Sequence, residues 1–149
     1  MAMKKILSSW IETLKIEIIL FLIGLLLFEI LSDLVKIDNL LFIVKSSSAT
    51  GEIKSNSLDI KQRENWITIG DNNGPAHMHI NSELIKTIKF VQEEKPERTS
   101  FSVRFFDGND ERSLAAFFTK MYDEKKNLDL SKKKIYDNLC QKYGSIIQF

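Results

Sequence analysis

The feature that most limits what this chain can become is "IETLKIEIILFLIGLLLFEILSDLVK", Ile11 to Lys36. Inside it, Ile18 to Phe28 carries no charge. A helix that is apolar all round needs burial on every side. The rest of a 149-residue chain, about the length of one domain, can hardly enclose it. The window Ile16–Val35 reaches the ~20 residues of a membrane span, although it includes Glu17, Glu29, Ser32 and Asp33. Leu, Ile and Phe each favour insertion by about 0.3–0.6 kcal/mol, while a central acid costs about 2.5–3.5 kcal/mol. Glu17 and Glu29 fall near the ends, where a carboxylate reaches the headgroups. Trp10 and Lys15 stand where interfacial anchors are useful. The expectation is a single-pass membrane helix. A cleaved signal peptide is disfavoured by Glu12 and Glu17 and by the lack of a small-x-small site. Lys4, Lys5 and Lys15 before the span, against Lys36, Lys45 and Lys54 after it, give a slight preference for a cytoplasmic N-terminus.

The chain then divides into an anchor and juxtamembrane segment (1–44), a tether (45–57) and a soluble domain (58–149). The tether, "KSSSATGEIKSNS", is rich in Ser, and "NLLFIV" before it reads as a strand or as more helix. In the soluble part "NWITIG" ends in the turn residues "DNNG". "AHMHI" alternates, with Ala76, Met78 and Ile80 on one face and His77 and His79 on the other. "KTIKFVQEE" and "SFSVRFF" alternate as well, separated by the breaker "EKPER". These four strands predict an antiparallel meander. One face is apolar (Met78, Ile80, Ile88, Phe90, Val103, Phe105), and the other is mixed. Leu114, Phe117, Phe118 and Met121 then fall at helical spacing. Ser131 is the expected N-cap of a last helix with the stripe Ile135, Leu139 and Tyr143, stopped at Gly144. The expected fold is α+β: an N-terminal membrane helix, then an antiparallel meander covered on one face by two C-terminal helices.

Composition removes several functions. Twenty-one Lys and Arg against 20 Asp and Glu leave no field for nucleic acid, so no nucleic-acid partner is expected. The lone Cys140 makes no internal disulfide and reads as a buried, inert thiol. There is no Cys-x-x-Cys-His for covalent haem, no Gly-rich phosphate loop, no nucleophile elbow and no His-Glu-x-x-His. An enzyme is therefore the less favoured reading.

The strand ending "FVQEE", a basic linker, "SVRFFDGNDER", an apolar segment and a terminal helix come in a recognisable order. Phe90, Glu93, Glu94, Ser102, Val103, Phe105, Phe106, Asp107 and Gly108 carry it. This order resembles the bacterial haem-utilisation proteins, the cytoplasmic haem carriers and hemin-degrading factors, over roughly Asn65 to Tyr143. Where those proteins usually hold two such repeats, or a full-length domain that pairs with another copy, this chain has one. The resemblance therefore implies a homodimer in which two single-repeat sheets rebuild the pair. The helical segment on which the family carries its iron-ligating histidine is not found. Ser100-Phe101 stand in place of an arginine pair, with Arg98 nearby.

Haem is the cofactor the resemblance implies. His77 and His79 are the candidate iron ligands, because a neutral imidazole ligates haem iron. Lys89 and Arg104 are the candidate partners of the propionates, and Trp66 or Phe106 the surface for ring stacking. The same residues also make an ordinary solvated sheet face. The expected function is a membrane-anchored, non-catalytic haem-carrier-like domain binding haem or a similar flat ligand. The alternatives are a ligand-free interaction module at the membrane surface and a haem-degrading enzyme.

Overall fold

A computed structural model describes the chain apart from Ser57. It opens with helix α1 (Ala2–Val35), followed by strands β1 (Leu40–Lys45), β2 (Thr50–Ser55), β3 (Ile60–Arg63), β4 (Trp66–Gly70), β5 (His77–Asn81), β6 (Thr87–Glu94), β7 (Thr99–Phe106) and β8 (Arg112–Phe118). Helix α2 (Leu130–Tyr143) and strand β9 (Ile146–Gln148) close the chain. Among the described residues the strands form two antiparallel sheets. One has six strands in the order β2-β1-β8-β7-β6-β9, the other three in the order β3-β4-β5. The architecture is α+β, as the sequence predicts.

Several elements differ from expectation. The segment predicted as the first C-terminal helix is strand β8. Leu114, Ala116 and Phe118 alternate as well as they fit a helix, and all three are buried. Pairing with β7 on one side and β1 on the other satisfies the backbone of β8 along both edges. The tether region holds a strand, since Thr50–Ser55 pairs with the whole of β1. "NLLFIV" is strand, not helix. The expected meander is split, with β4 and β5 in the small sheet and β6 and β7 in the large one. Helix α2 is capped by Asp129, not Ser131. The Asp129 carboxylate accepts from the Ser131 and Lys132 amides, and Gly144 ends the helix. Its buried residue is Tyr136, one position from the expected stripe, while Ile135 is exposed.

The core lies on one face of the large sheet. Cross-strand registers bring Phe42, Ala116, Val103 and Phe90 into one row, and Val44, Leu114, Phe105 and Ile88 into the next. Tyr136 of α2 packs edge-on against Phe90, Phe101 and Phe118, with ring centroids 5.3–5.8 Å apart. The inner face of the small sheet adds Ile67, Ile69, Met78 and Ile80. The third cover is the C-terminal half of α1: Leu27, Ile30, Leu31, Leu34 and Val35 are all buried. The helix approaches closely at Gly24, where an added Cβ would lie 3.2 Å from Gln62 Nε2.

The window Ile16–Val35 is therefore divided between two environments. From Gly24 onward its inward side belongs to the core. Residues Met1 to Ile19 are all exposed, including Ile6, Leu7, Trp10, Ile11 and Leu14. The helix is long and apolar enough to cross a membrane, but only its N-terminal half is free of the domain.

Candidate functional site

Strand alternation holds for β5: Met78 and Ile80 are buried, while His77 and His79 face solvent. The hairpin before it explains the site's shape. β3 and β4 are joined by a two-residue turn, Glu64-Asn65, with Glu64 at φ 55°. Register then sets Lys61 opposite Thr68 and Arg63 opposite Trp66, and on the other side Thr68 opposite His79 and Gly70 opposite His77. Lys61, Arg63, Trp66, Thr68, His77 and His79 thus share the outer face of the small sheet.

On that face His79 Nδ1 is 2.9 Å from Thr68 Oγ1. A hydroxyl accommodates either tautomer. When Nδ1–H donates to it, the Nε2 lone pair is left for a ligand. The His77 and His79 rings meet edge to face at 5.1 Å. Trp66 is 47 % exposed, which is unusual for so large an apolar ring on a strand. A groove of about 570 Å³ runs over Lys61, Arg63, Trp66, Thr68 and His79, with Gln62, Glu64 and Asn72 completing its lining.

The remaining candidates lie elsewhere. Lys89 and Arg104 are cross-strand partners on the large sheet, so the structure brings them together, but not to the histidines. Arg104 Nε donates to Ser102 Oγ at 3.0 Å, and its guanidinium pairs with Glu93. That bond holds the Glu93 carboxyl below its usual range. Lys89 Nζ sits 4.9 Å from the centroid of Phe106. Arg104 and Phe106 line a separate groove with Lys45 and Arg112. The predicted constellation is two groups on two sheets: His77, His79 and Trp66 on one, Lys89, Arg104 and Phe106 on the other.

Sequence reasoning missed Lys61, Arg63 and Thr68. The signal was present in "IKQR" and "WITIG", whose alternation puts Lys61, Arg63 and Thr68 on the histidine face. A larger groove, about 880 Å³, lies between α1 and the β3 hairpin, but Glu17, Glu64 and Glu83 line it without a cation. It suits an anionic ligand poorly. Among the described residues, no three His, Cys, Asp or Glu side chains gather to hold a bare metal ion.

A family model matches residues 28–143, more than half of the chain. With the solved structures that share the fold, it indicates the haem-utilisation family. The chain belongs to that family. Seventeen solved chains match it in structure. ChuX is similar over 80% of this chain and 72% of its own, at 15% identity and a TM-score of 0.67. A further structure of ChuX is titled as that of a haem-binding protein. Holo-PhuS from Pseudomonas aeruginosa, titled a haem-binding protein, is similar at 11% identity and a TM-score of 0.62, over 76% of this chain. The haem-degrading enzyme ChuS of Escherichia coli O157:H7 is similar at 10% identity and a TM-score of 0.59, over 73% of this chain. This haem-utilisation chain spans about a third of PhuS and ChuS: 32% and 33%. No curated protein matches it in sequence. The matched region begins within α1 at Phe28, where the helix is already seated in the core.

Proposed function

We propose that this chain binds haem without transforming it, on the outer face of β3-β4-β5. The observation that carries the reading is the His79–Thr68 pair at 2.9 Å, in a groove that also holds an exposed indole and two cations. Haem presents a flat apolar ring, an iron seeking an axial base and two propionates. His79 Nε2 supplies the base, with His77 beside it as a second imidazole. Trp66 gives the ring a surface, and Lys61 and Arg63 meet the carboxylates with charge-assisted bonds. A groove of this size lies within the usual range for ligand sites of roughly 300–1,000 Å³. Bound haem would supply the iron centre. The protein's part is to orient the imidazole, shelter one ring face and neutralise the acid edge. Lys89, Arg104 and Phe106 already engage Glu93, Ser102 and each other, which favours a structural role for them.

Haem titration of the full chain in mild detergent tests this. A sharpened Soret band at one haem per chain, stable under reductant in air, supports non-catalytic binding. His79→Ala should abolish the band with thermal unfolding retained. Thr68→Val should weaken affinity roughly tenfold, as loss of a ligand's orienting partner does. An unchanged band in His79→Ala removes the site, and loss of haem to an open-chain product replaces carriage with breakdown.

The projecting half of α1 supports a further part of this proposal, that the domain is held at a membrane. Exposed Ile6, Leu7, Trp10, Ile11, Leu14, Ile18 and Phe21 have no cover in the chain itself, and the Lys15–Glu12 ion pair at 2.9 Å offsets two of the three charges among them, Glu17 being the third. Carbonate-resistant sedimentation with membranes is expected for the full chain. Recovery of all the protein in the soluble fraction would refute this.

A further inference from the structure

We infer that the free half of α1 is a pairing seam, and that its partner is a second copy of this chain, parallel and in register. Leu7, Ile11, Leu14, Ile18, Phe21, Leu25 and Phe28 follow one another at alternating steps of four and three residues. That is the a/d pattern of a coiled coil, repeating every 3.5 residues. The a positions are Ile11, Ile18 and Leu25, and the d positions are Leu7, Leu14, Phe21 and Phe28. β-Branched side chains at a with leucine at d favour two parallel strands.

The six residues from Leu7 to Leu25 are 46–65 % exposed and so free to pair; Ile6, Ile16, Ile19 and Leu22 are as exposed, and it is the spacing that selects the stripe. The seam stops where the domain begins: the next a position is Ser32, and the preceding one is Lys4. Seam and core occupy different sides of the helix from Leu7 to Ile18; beyond it Phe21 and Leu25 border the groove against the β3 hairpin, and Phe28 packs on the core. Leu27, Ile30, Leu31 and Leu34 face the sheets, and at about 100° per residue their mean direction lies well over a right angle from the seam. Two copies can therefore join along Leu7–Leu25, short of Phe28, with each domain directed away from the seam.

Need agrees too. Wherever this half stands in water, a helix of its composition, rich in β-branched residues, does not hold itself without a partner. Trp10 and Glu17 at the g positions, and Ser8, Lys15 and Leu22 at e, flank the seam. In a parallel pair Trp10 of one copy faces Lys15 of the other, where the lysine stem covers the indole. The pairing serves equally in lipid, where left-handed helix pairs use the same geometry. It uses α1, not the sheets, and does not rest on the haem reading.

The test is disulfide trapping in the full chain carrying Cys140→Ser, in mild detergent and in neutral lipid vesicles. Leu7→Cys and Leu14→Cys should cross-link rapidly, while Ser9→Cys, on the opposite side, should not. Sedimentation should give a dimer mass that Leu14→Glu with Ile18→Glu reduces to a monomer, leaving the domain's thermal transition in place. Cross-linking at Ile18→Cys without Leu7→Cys would overturn the parallel register. Equal trapping at Ser9, or a monomer that enters vesicles alone, would overturn the pairing.

Discussion

Gly70 lies at φ +93°, opposite His77, at the point where β4 gives way to the loop before β5. A Cβ there would come within 2.6 Å of the Ala76 carbonyl oxygen and 3.0 Å of His77 Cα. Only glycine combines that dihedral with so close an approach. Gly70→Ala should therefore destabilise the chain by more than about 1 kcal/mol in urea unfolding. It should also weaken haem binding, because β5 must shift to relieve the contact; equal stability and affinity in the variant would refute the role. The facing of His77 and His79 was legible in "AHMHI", since alternation alone fixes it. Their company was not. Lys89 and Arg104 lie on the mixed face of their own strands, as the histidines do of theirs, but phase within a strand carries no information about which sheet the strand joins. The cations that do share the face, Lys61 and Arg63, alternate in a four-residue strand beside the Ser-rich segment, where so brief a pattern reads as part of the loop.

The same limit recurs among the elements. Residues Arg112 to Phe118 satisfy a strand and a helix template together, and the contest is decided by open edges on β1 and β7 that only the assembled sheet reveals. α1 was legible as a helix, but not as one with two environments, because hydropathy does not distinguish a side chain that meets lipid from one that meets a sheet. Helix α2 was placed correctly and rotated by one residue, with Tyr136 turned inward. Tyr136 closes the aromatic cluster with Phe90, Phe101 and Phe118. Tyr136→Ala should cost about 3–5 kcal/mol, the range for emptying a buried aromatic site, read as a lower urea midpoint. Tyr136→Phe should keep nearly all of that stability.

At the scale of the molecule, the end of α2 is fastened to α1. Lys142 Nζ lies 2.8 Å from Asp33 and 3.0 Å from Glu29, and the Tyr143 hydroxyl donates to Asp33 at 2.6 Å. Burial, reinforced by the bond to Asp33, pushes the Tyr143 phenol up to about 12. Hydrogen bonds to Asp33, Tyr143 and Glu29 raise Lys142 above its ordinary range. Both groups are protonated in the fastened state, and both titrate higher in the folded chain than in the unfolded one. The contribution of Tyr143 is complete below pH 10 and is lost as pH climbs through about 12, while that of Lys142 persists to higher pH. The melting temperature should fall across that window, alongside a late tyrosinate absorbance change. Tyr143→Phe should remove part of both effects, and a flat melting profile through the window would contradict the clamp.

The large sheet is assembled out of chain order. β1 emerges early, yet its inner partner is β8, so Leu40 waits for Phe118. Throughout synthesis of the intervening strands, the edge of β1 that β8 will occupy stays bare, and the inward side of α1 has no surface to settle on. Pairings so distant along the chain close slowly, and an oily segment left waiting is prone to clump with its neighbours. A nascent chain of this design gains from any early cover over its oily helix, well before its last strand is made.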